Sequence, residues 1–270
     1  MMSGLEEKKK AISNAGLDRL YVISDFDRTL TKEVINGKQV PSMISILRDG
    51  NYLSERYAEQ AKALFAKYHP IEIDASKGID EKKPIMKQWW IEHFHLLIKS
   101  GLNKKHIKSI IDTGQLQLRE GCKAFLKLLY EKKIPIIILS SNGLGGDAIS
   151  LFLEKEGINY DNIFIVSNSY NWDEQGNAIS VKEPVVHVMN KDETAIPAEI
   201  EEKIIGRRNA ILLGDSLGDV NMAKGEHDAI LKIGFLNQGE ENKEEYEKEF
   251  DMLILDGKMN KVLDLLKEIA

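Results

Sequence analysis

Apolar residues along this chain follow two different spacings. Four short runs are continuously apolar, rich in β-branched residues and bounded by turn formers: Leu20–Ser24, Ile134–Leu139, Ile163–Val166 and Ala210–Leu213. Runs of that length and composition predict strands buried on both faces, as in a parallel sheet. Ala229–Ile233 and Met252–Leu255 are weaker copies of the same pattern. Between the later runs, apolar positions recur at helical steps in Gly146–Glu156, Ala198–Ile205, Asp219–Lys224 and Met259–Ile269. Strand and helix in alternation predict an α/β fold with a doubly wound, mainly parallel sheet.

The first interval breaks this rhythm. About 110 residues separate the first two strand-like runs, far more than one crossover helix needs. Most of that stretch has helical periodicity: Met43–Leu47, Tyr52–Tyr68, Ile85–Ser100 and Lys104–Thr113. The pattern predicts a core of residues 1–35 and 119–270, with a helical cap, residues 36–118, inserted after the first strand.

Composition narrows the functional classes. In 270 residues, 37 Lys and Arg face 43 Asp and Glu, a net charge of −6. That balance gives no general attraction to a nucleic-acid polymer or an anionic membrane, while a local site for a small anion stays open. The N-terminal residues 1–16 are Glu/Lys-rich and lack the apolar stretch of a signal peptide. No apolar run is long enough to cross a bilayer. The single cysteine, Cys122, excludes a disulfide framework and fits a reducing, cytoplasmic setting. A monomer is the default expectation. The Glu240–Glu249 charge run reads as a solvated helix face.

Candidate chemistry gathers at the predicted carboxyl ends of strands, where open α/β sheets bind ligands. Asp25-Phe26-Asp27-Arg28-Thr29 follows the first run and Gly214-Asp215-Ser216-Leu217-Gly218-Asp219 follows the Ala210–Leu213 run. Alone, the Asp25-x-Asp27 pair reads more readily as two loop carboxylates capping a turn. Together they would repel unless a cation lay between them. A hard divalent ion such as Mg²⁺ takes one or two carboxylates with water and phosphate oxygens, a role open to Asp25 and Asp215, with Asp219 positioning the metal or its waters. Ser140-Ser141-Asn142-Gly143-Leu144-Gly145-Gly146 ends another strand and opens a helix, a place suited to an anion. A fixed ammonium is the remaining need. Lys191 is the candidate and Lys182 the fallback.

These four elements, in this order, resemble the haloacid-dehalogenase superfamily of phosphotransferases. The resemblance implies a Rossmann-like core, Asp25 as nucleophile through an aspartyl-phosphate, and Asp27 as general acid and then base. It also implies Mg²⁺ on Asp25, Asp215 and the Asp27 carbonyl. A narrower resemblance spans residue 20 to the C-terminus. Pro70-Ile71-Glu72-Ile73-Asp74, Met86-Lys87-Gln88-Trp89-Trp90, Leu118-Arg119-Glu120-Gly121, Ile165-Val166-Ser167-Asn168, His187-Val188-Met189-Asn190-Lys191 and Ile230-Leu231-Lys232-Ile233-Gly234-Phe235-Leu236-Asn237 are similar to the cytosolic 5′-nucleotidase type III, or pyrimidine 5′-nucleotidase, family. Membership of that family implies Mg²⁺-dependent hydrolysis of nucleoside 5′-monophosphates. UMP and CMP are the typical substrates, some members prefer 7-methylguanosine monophosphate, and phosphotransfer to nucleosides accompanies hydrolysis.

By the same resemblance Ser140 and Lys191 bind phosphate and Glu72 recognises the base. Two departures stand out. The turn after Ser140 is longer than the family's, so Ser140 and Ser141 are both candidates for the phosphate. His93 stands where a small residue helps to hold the base, so it becomes a base-pocket candidate. Trp89 and Trp90 lie about 100° apart on one helix and are not both expected to face one pocket. His95 reads as packing or surface, His187 as structural, Cys122 as a buried small hydrophobe, and Trp172 to Gly176 as a hairpin connection. Two other functions remain open: a capped phosphatase for phosphoserine or a sugar phosphate, and a non-catalytic nucleotide-binding regulator.

Overall fold

A computed structural model describes residues 4–74, 76–192, 195–237 and 242–270. Helix α1 (Gly4–Ala15) leads through a short 3-10 turn into β1 (Leu20–Ser24). A small hairpin, β2 (Val34–Ile35) with β3 (Lys38–Gln39), opens the insertion. Four helices follow: α2 (Met43–Asp49), α3 (Tyr57–Ile73), α4 (Ile79–Lys99) and α5 (Lys104–Asp112). The chain returns through α6 (Cys122–Glu131), β4 (Ile136–Ser140), α7 (Gly146–Lys155) and β5 (Ile163–Ser167). A second hairpin, β6 (Tyr170–Trp172) with β7 (Ala178–Val181), precedes α8 (Ala198–Ile204), β8 (Asn209–Gly214) and β9 (Ala229–Phe235). The described chain closes with α9 (Lys243–Glu249), β10 (Met252–Ile254) and α10 (Asn260–Ile269).

Six strands form one sheet in the order β10-β9-β8-β1-β4-β5, and every neighbouring pair is parallel. The fully buried, aliphatic run of β1 explains its central place: Leu20 and Val22 join the hydrophobic cluster on one face, Tyr21 and Ile23 the cluster on the other. The chain winds from β1 to one side through β4 and β5, then crosses to the other side at β8. The strand order therefore reverses around β1, and a crevice opens at the carboxyl ends of β1, β4 and β8.

Element boundaries depart from the periodicity in informative places. α3 begins at Tyr57 rather than Tyr52, because Asn51 adopts φ 53° and ends α2, and the Tyr57 N–H closes a turn on the Ser54 carbonyl. α3 and α4 extend through Pro70 and Pro84, which sit toward the helix ends that meet at Asp74–Gly78. Each proline there costs a single ladder bond rather than breaking the helix. The segment expected as a helix at Asp219–Lys224 is a 3-10 turn over Leu217–Met222, and α1 carries a helix where only a charged stretch was apparent. Of the Glu240–Glu249 run, Glu240 and Glu241 lie outside the described residues, and the rest is α9, with no buried residue.

The inserted helices do not build a core of their own. Met43, Leu47, Phe94, Leu97 and Ile107 belong to the same apolar cluster as Leu20, Val22, Phe125 and Phe152. The β6–β7 hairpin clasps the α4–α5 connection. Ala178 donates to the Leu102 carbonyl, Lys104 to the Gly176 carbonyl, and the Asn103 amide to Gln175 O and Asn177 Oδ1 at 3.0 and 2.8 Å.

Candidate active site

Three strand ends and one loop meet at the crevice. β1 ends at Ser24, so Asp25 leaves the sheet with its N–H bonded to the Leu213 carbonyl of β8. β8 ends at Gly214 because a tight turn follows. Asp219 folds back so closely that a Cβ on Gly214 would lie 2.4 Å from the Asp219 Cβ. There Asp219 Oδ2 accepts from the Asp215 N–H (3.1 Å), the Ser216 N–H (2.9 Å) and the Ser216 hydroxyl (2.9 Å). Lys191 arrives on a loop shaped by two asparagines. Asn168 pairs both ways with the Val186 backbone at 2.9 Å. Asn190 accepts from the His187 N–H (2.7 Å) and donates to the Val185 carbonyl (2.9 Å).

The charged groups converge. Lys191, 8% exposed, donates to Asp25 Oδ1 and, at 2.8 Å, to Asp219 Oδ1. Carboxylate oxygens of Asp25, Asp215 and Asp219 lie within 4.8 Å of one another. Burial raises the Asp25 carboxyl to about 7 despite the opposing pull of Lys191. Burial also lifts Asp215 well above the carboxylate range, with Asp25 and Asp219 adding to it. Asp27 is raised by burial and partly relieved by the Asn142 amide, which donates to its Oδ2 at 3.2 Å. Burial depresses the Lys191 ammonium, but Asp219 and Asp25 outweigh it and leave the ammonium above its ordinary range.

This donor set fits a hard divalent cation. Both Asp219 oxygens are already engaged by backbone, hydroxyl and ammonium donors. Among the described residues Asp215 accepts only long bonds, from Thr29 (3.3 Å) and Asn237 (3.4 Å). Asp215 and Asp25 are therefore the carboxylates with coordination capacity to spare, and they are the pair whose mutual repulsion a metal would relieve.

A cavity of about 230 Å³ opens over these groups, lined by Asp25, Asp27, Ser140, Ser141, Lys191, Asp215 and Asp219. Ser140 is buried and its Oγ accepts from the Asn142 N–H at 3.2 Å, while Ser141 is half-buried. A second cavity of about 200 Å³ shares Asp27, Ser42 and Ser141 with the first and reaches Trp90, Ile44 and Gly143. Trp90 is thus the cap aromatic at the site; Trp89 stacks on Tyr68 instead, at 5.7 Å.

Glu72 and His93 line neither cavity. Glu72 ends α3 half-buried, its Oε2 3.0 Å from His69 Nδ1. His93 sits behind Trp90, stacked on it at 6.0 Å, with Nε2 3.1 Å from the Tyr57 hydroxyl. Lys182 is exposed and takes no place at the site. His95 is exposed, His187 and Cys122 are buried, and Trp172 and Gly176 bound the β6–β7 turn.

Several residues at the site carry no local signal in the sequence. Asn142 lies inside the Ser140–Gly146 turn but its reach to Asp27 is a tertiary contact. Arg119 and Asn237 come from distant segments. Arg119 donates to the carbonyls of Thr29 and Gly257 at 2.8 Å, to the Arg28 carbonyl, and to Asn237 Oδ1 at 2.6 Å. Their one sequence signal is membership of the motifs around Arg119 and Asn237.

A parallel sheet carrying aspartates at the ends of its central strand and of a neighbour, a serine at the next strand end and a lysine on a loop, under a helical insertion, is the arrangement of the haloacid-dehalogenase superfamily. A phosphoserine phosphohydrolase-like protein from Francisella tularensis shares that fold, with TM-score 0.55 at 17% identity, over 91% of this chain and 99% of its own.

Similarity narrows the class. The 7-methylguanosine phosphate-specific 5′-nucleotidase of Homo sapiens is 37% identical over 254 residues, 93% of this chain and 84% of that protein. The crystal structure of cytosolic 5′-nucleotidase IIIB bound to cytidine superposes with TM-score 0.86 at 29% identity, covering 98% of this chain and 91% of that one. The chain belongs to the pyrimidine 5′-nucleotidase (UMPH-1) family, whose family model matches residues 28–270, and is an enzyme of the 5′-nucleotidase class.

Proposed function

We propose that this chain hydrolyses nucleoside 5′-monophosphates, UMP or CMP foremost, to nucleoside and orthophosphate with Mg²⁺ as cofactor. The observation that carries this is the junction of two cavities: a carboxylate and lysine cluster suited to a phosphoryl group opens directly onto a second cavity walled by Trp90. A small ester such as phosphoserine or a sugar phosphate would leave the Trp90 wall uncovered. The relatives' names make 7-methylguanosine 5′-monophosphate the rival nucleotide, and a transfer of phosphate to nucleosides would use the same intermediate.

Asp25 attacks phosphorus and forms an aspartyl-phosphate as the 5′-oxygen leaves with a proton from Asp27. Asp27 then takes a proton from the water that cleaves this intermediate. Its raised, burial-driven proton affinity suits a group that must hold a proton before the first step. Asn142 orients the carboxyl. Ser140, Ser141 and Lys191 bind the phosphoryl oxygens, and Asp219 fixes Lys191 and the Asp215 turn. Asp25, Asp215 and the Asp27 carbonyl would hold Mg²⁺, which neutralises charge on the transferring group when bound. The base lies against Trp90, with Glu72 as its polar contact once the far end of the α3–α4 pair closes over the cavity, and His93 serves the base site by backing Trp90. A cytoplasmic setting fits the single, buried cysteine, a monomer is the default state, and no described helix is long and apolar enough to cross a membrane.

The test is phosphate release with Mg²⁺ from UMP, CMP, 7-methyl-GMP, AMP, GMP, phosphoserine and glucose 6-phosphate, with Asp25→Asn alongside. Preference for nucleotides, lost in a folded Asp25→Asn variant, is the expected result. Preference for phosphoserine or glucose 6-phosphate overturns the substrate class, and nucleotide binding without release in Mg²⁺ turns the chain into a binding protein.

A further inference from the structure

Arg28 directly follows Asp27 and adopts φ 60°, a left-handed conformation that residues with side chains take rarely and that persists only where the surroundings hold it. They do hold it here. The Arg28 N–H donates to Thr31 Oγ1 at 2.9 Å. Its carbonyl accepts from the Arg119 guanidinium and, at 3.0 Å, from the Asn237 amide. The clamp grips backbone atoms alone, so what it fixes is the direction of the side chain, and that side chain lines the larger cavity.

The Arg28 guanidinium forms no hydrogen bond or ion pair among the described residues, although its charge is felt at Asp27 and Asp215. Lys32 lines the same cavity, and among the described residues its ammonium donates only to a neutral partner, Gln117 Oε1, at 3.0 Å. Two cations without a carboxylate partner therefore wall a site that already has Lys191 for the phosphoryl group. The phosphoryl end of the substrate is taken by Asp25, Ser140 and Lys191, and the base by the Trp90 cavity. The remaining part is the sugar. Ribose hydroxyls are neutral and leave both charges uncompensated, whereas a phosphoryl group on the ribose satisfies both through charge-assisted hydrogen bonds.

We propose that Arg28 and Lys32 form a second anion subsite, and that the preferred substrate is a nucleoside 3′,5′-bisphosphate. This rests on the nucleotidase reading and deepens it. Asp25 displaces the 5′-oxygen from phosphorus as that oxygen takes a proton from Asp27, water then cleaves the aspartyl-phosphate, and nucleoside 3′-monophosphate and orthophosphate leave.

The experiment compares kcat/KM of the full chain with Mg²⁺ on CMP and on cytidine 3′,5′-bisphosphate, with cytidine and cytidine 3′-monophosphate resolved chromatographically. Arg28→Met and Lys32→Met are measured in parallel, their folding checked by melting temperature. The expected wild-type preference for the bisphosphate is about tenfold or more, the worth of a charge-assisted contact, and each variant brings the ratio down toward one. A wild-type ratio near one, or a ratio that neither variant moves, overturns the subsite while leaving the nucleotidase intact. Absence of 5′-phosphate release from both compounds overturns the nucleotidase reading itself, and the subsite with it.

Discussion

At the scale of single residues, the site concentrates charge that the folded chain does not neutralise alone. Asp25, Asp215 and Asp219 share a space of a few ångströms with one ammonium between them, and burial makes each uncompensated charge expensive. Asp215 bears most of this, since Lys191 contacts Asp25 and Asp219 but not Asp215. Asp215→Asn keeps the shape, accepts from the Asn237 amide through its remaining oxygen and turns its NH2 to the Thr29 hydroxyl, while removing one negative charge. Its melting temperature in EDTA should exceed the wild type by a few degrees, about 1–3 kcal/mol at this chain length. The rise expected when Mg²⁺ is added to the wild type should be absent in this variant, because binding to the native state stabilises only where the site still binds. Unchanged stability in EDTA would mean that the carboxylates do not repel. These aspartates were legible in the sequence because each follows an apolar run at a strand's carboxyl end. Asn142, Arg119 and Trp90 were not, since their roles come from contacts across the chain that no local spacing encodes.

At the scale of elements, the loop from Val185 to Lys191 has no helix or strand to hold it and relies on Asn168, Asn190 and a buried histidine. His187 is 2% exposed and its Nδ1 accepts from the Met189 N–H at 3.3 Å. Burial, with Lys83 and Lys87 nearby, lowers the imidazole to about 4, against about 6.5 in an unfolded chain. The unfolded chain then binds the extra proton first. The stability tied to a neutral His187 is fully present above about pH 6.5 and is lost as pH falls toward 4, by up to about 3 kcal/mol. His187→Gln should flatten this part of the profile, read as the difference in chemical-denaturation midpoint between variant and wild type at pH 7.5 and pH 4.5. A difference independent of pH would show that the imidazole titrates normally. Sequence periodicity placed the strands well, because aliphatic runs of four to six residues have few other uses. It set α3 too early, at Tyr52–Tyr68, and began α4 too late, at Ile85, because Pro70 and Pro84 lie inside these helices near ends that tolerate them. The helix α1 and the 3-10 turn at Leu217–Met222 escaped for a related reason: one buries little, and the other is shaped by Asp219 capping rather than by an apolar stripe.

At the scale of the molecule, a sequence division into core and cap describes the chain's route better than its energetics. Helices α2–α5 come between β1 and β4 in the chain, yet Phe94, Leu97 and Ile107 bury their side chains in the cluster that also covers β1. Hairpin β6–β7 stitches α4 and α5 to the core through backbone bonds. Among the described residues of α3 and α4, Ile73 and Ile79 are exposed and outside this shared cluster, so a closure of the pair over the cavity is a movement of that end. Unfolding should accordingly be one cooperative event. The three tryptophans allow a direct test, because Trp89 and Trp90 lie on α4 and Trp172 lies on β6. In a Trp172→Phe variant, tryptophan fluorescence reports the insertion alone, while far-UV circular dichroism reports the whole chain. The two melting curves should coincide. Adding Leu97→Ala, which empties a fully buried site at an expected cost of about 2–5 kcal/mol, should move both midpoints down together by roughly 5–15 °C. A fluorescence transition that precedes the loss of helical signal, or a Leu97→Ala shift confined to fluorescence, would make the insertion an independent unit that melts before the sheet.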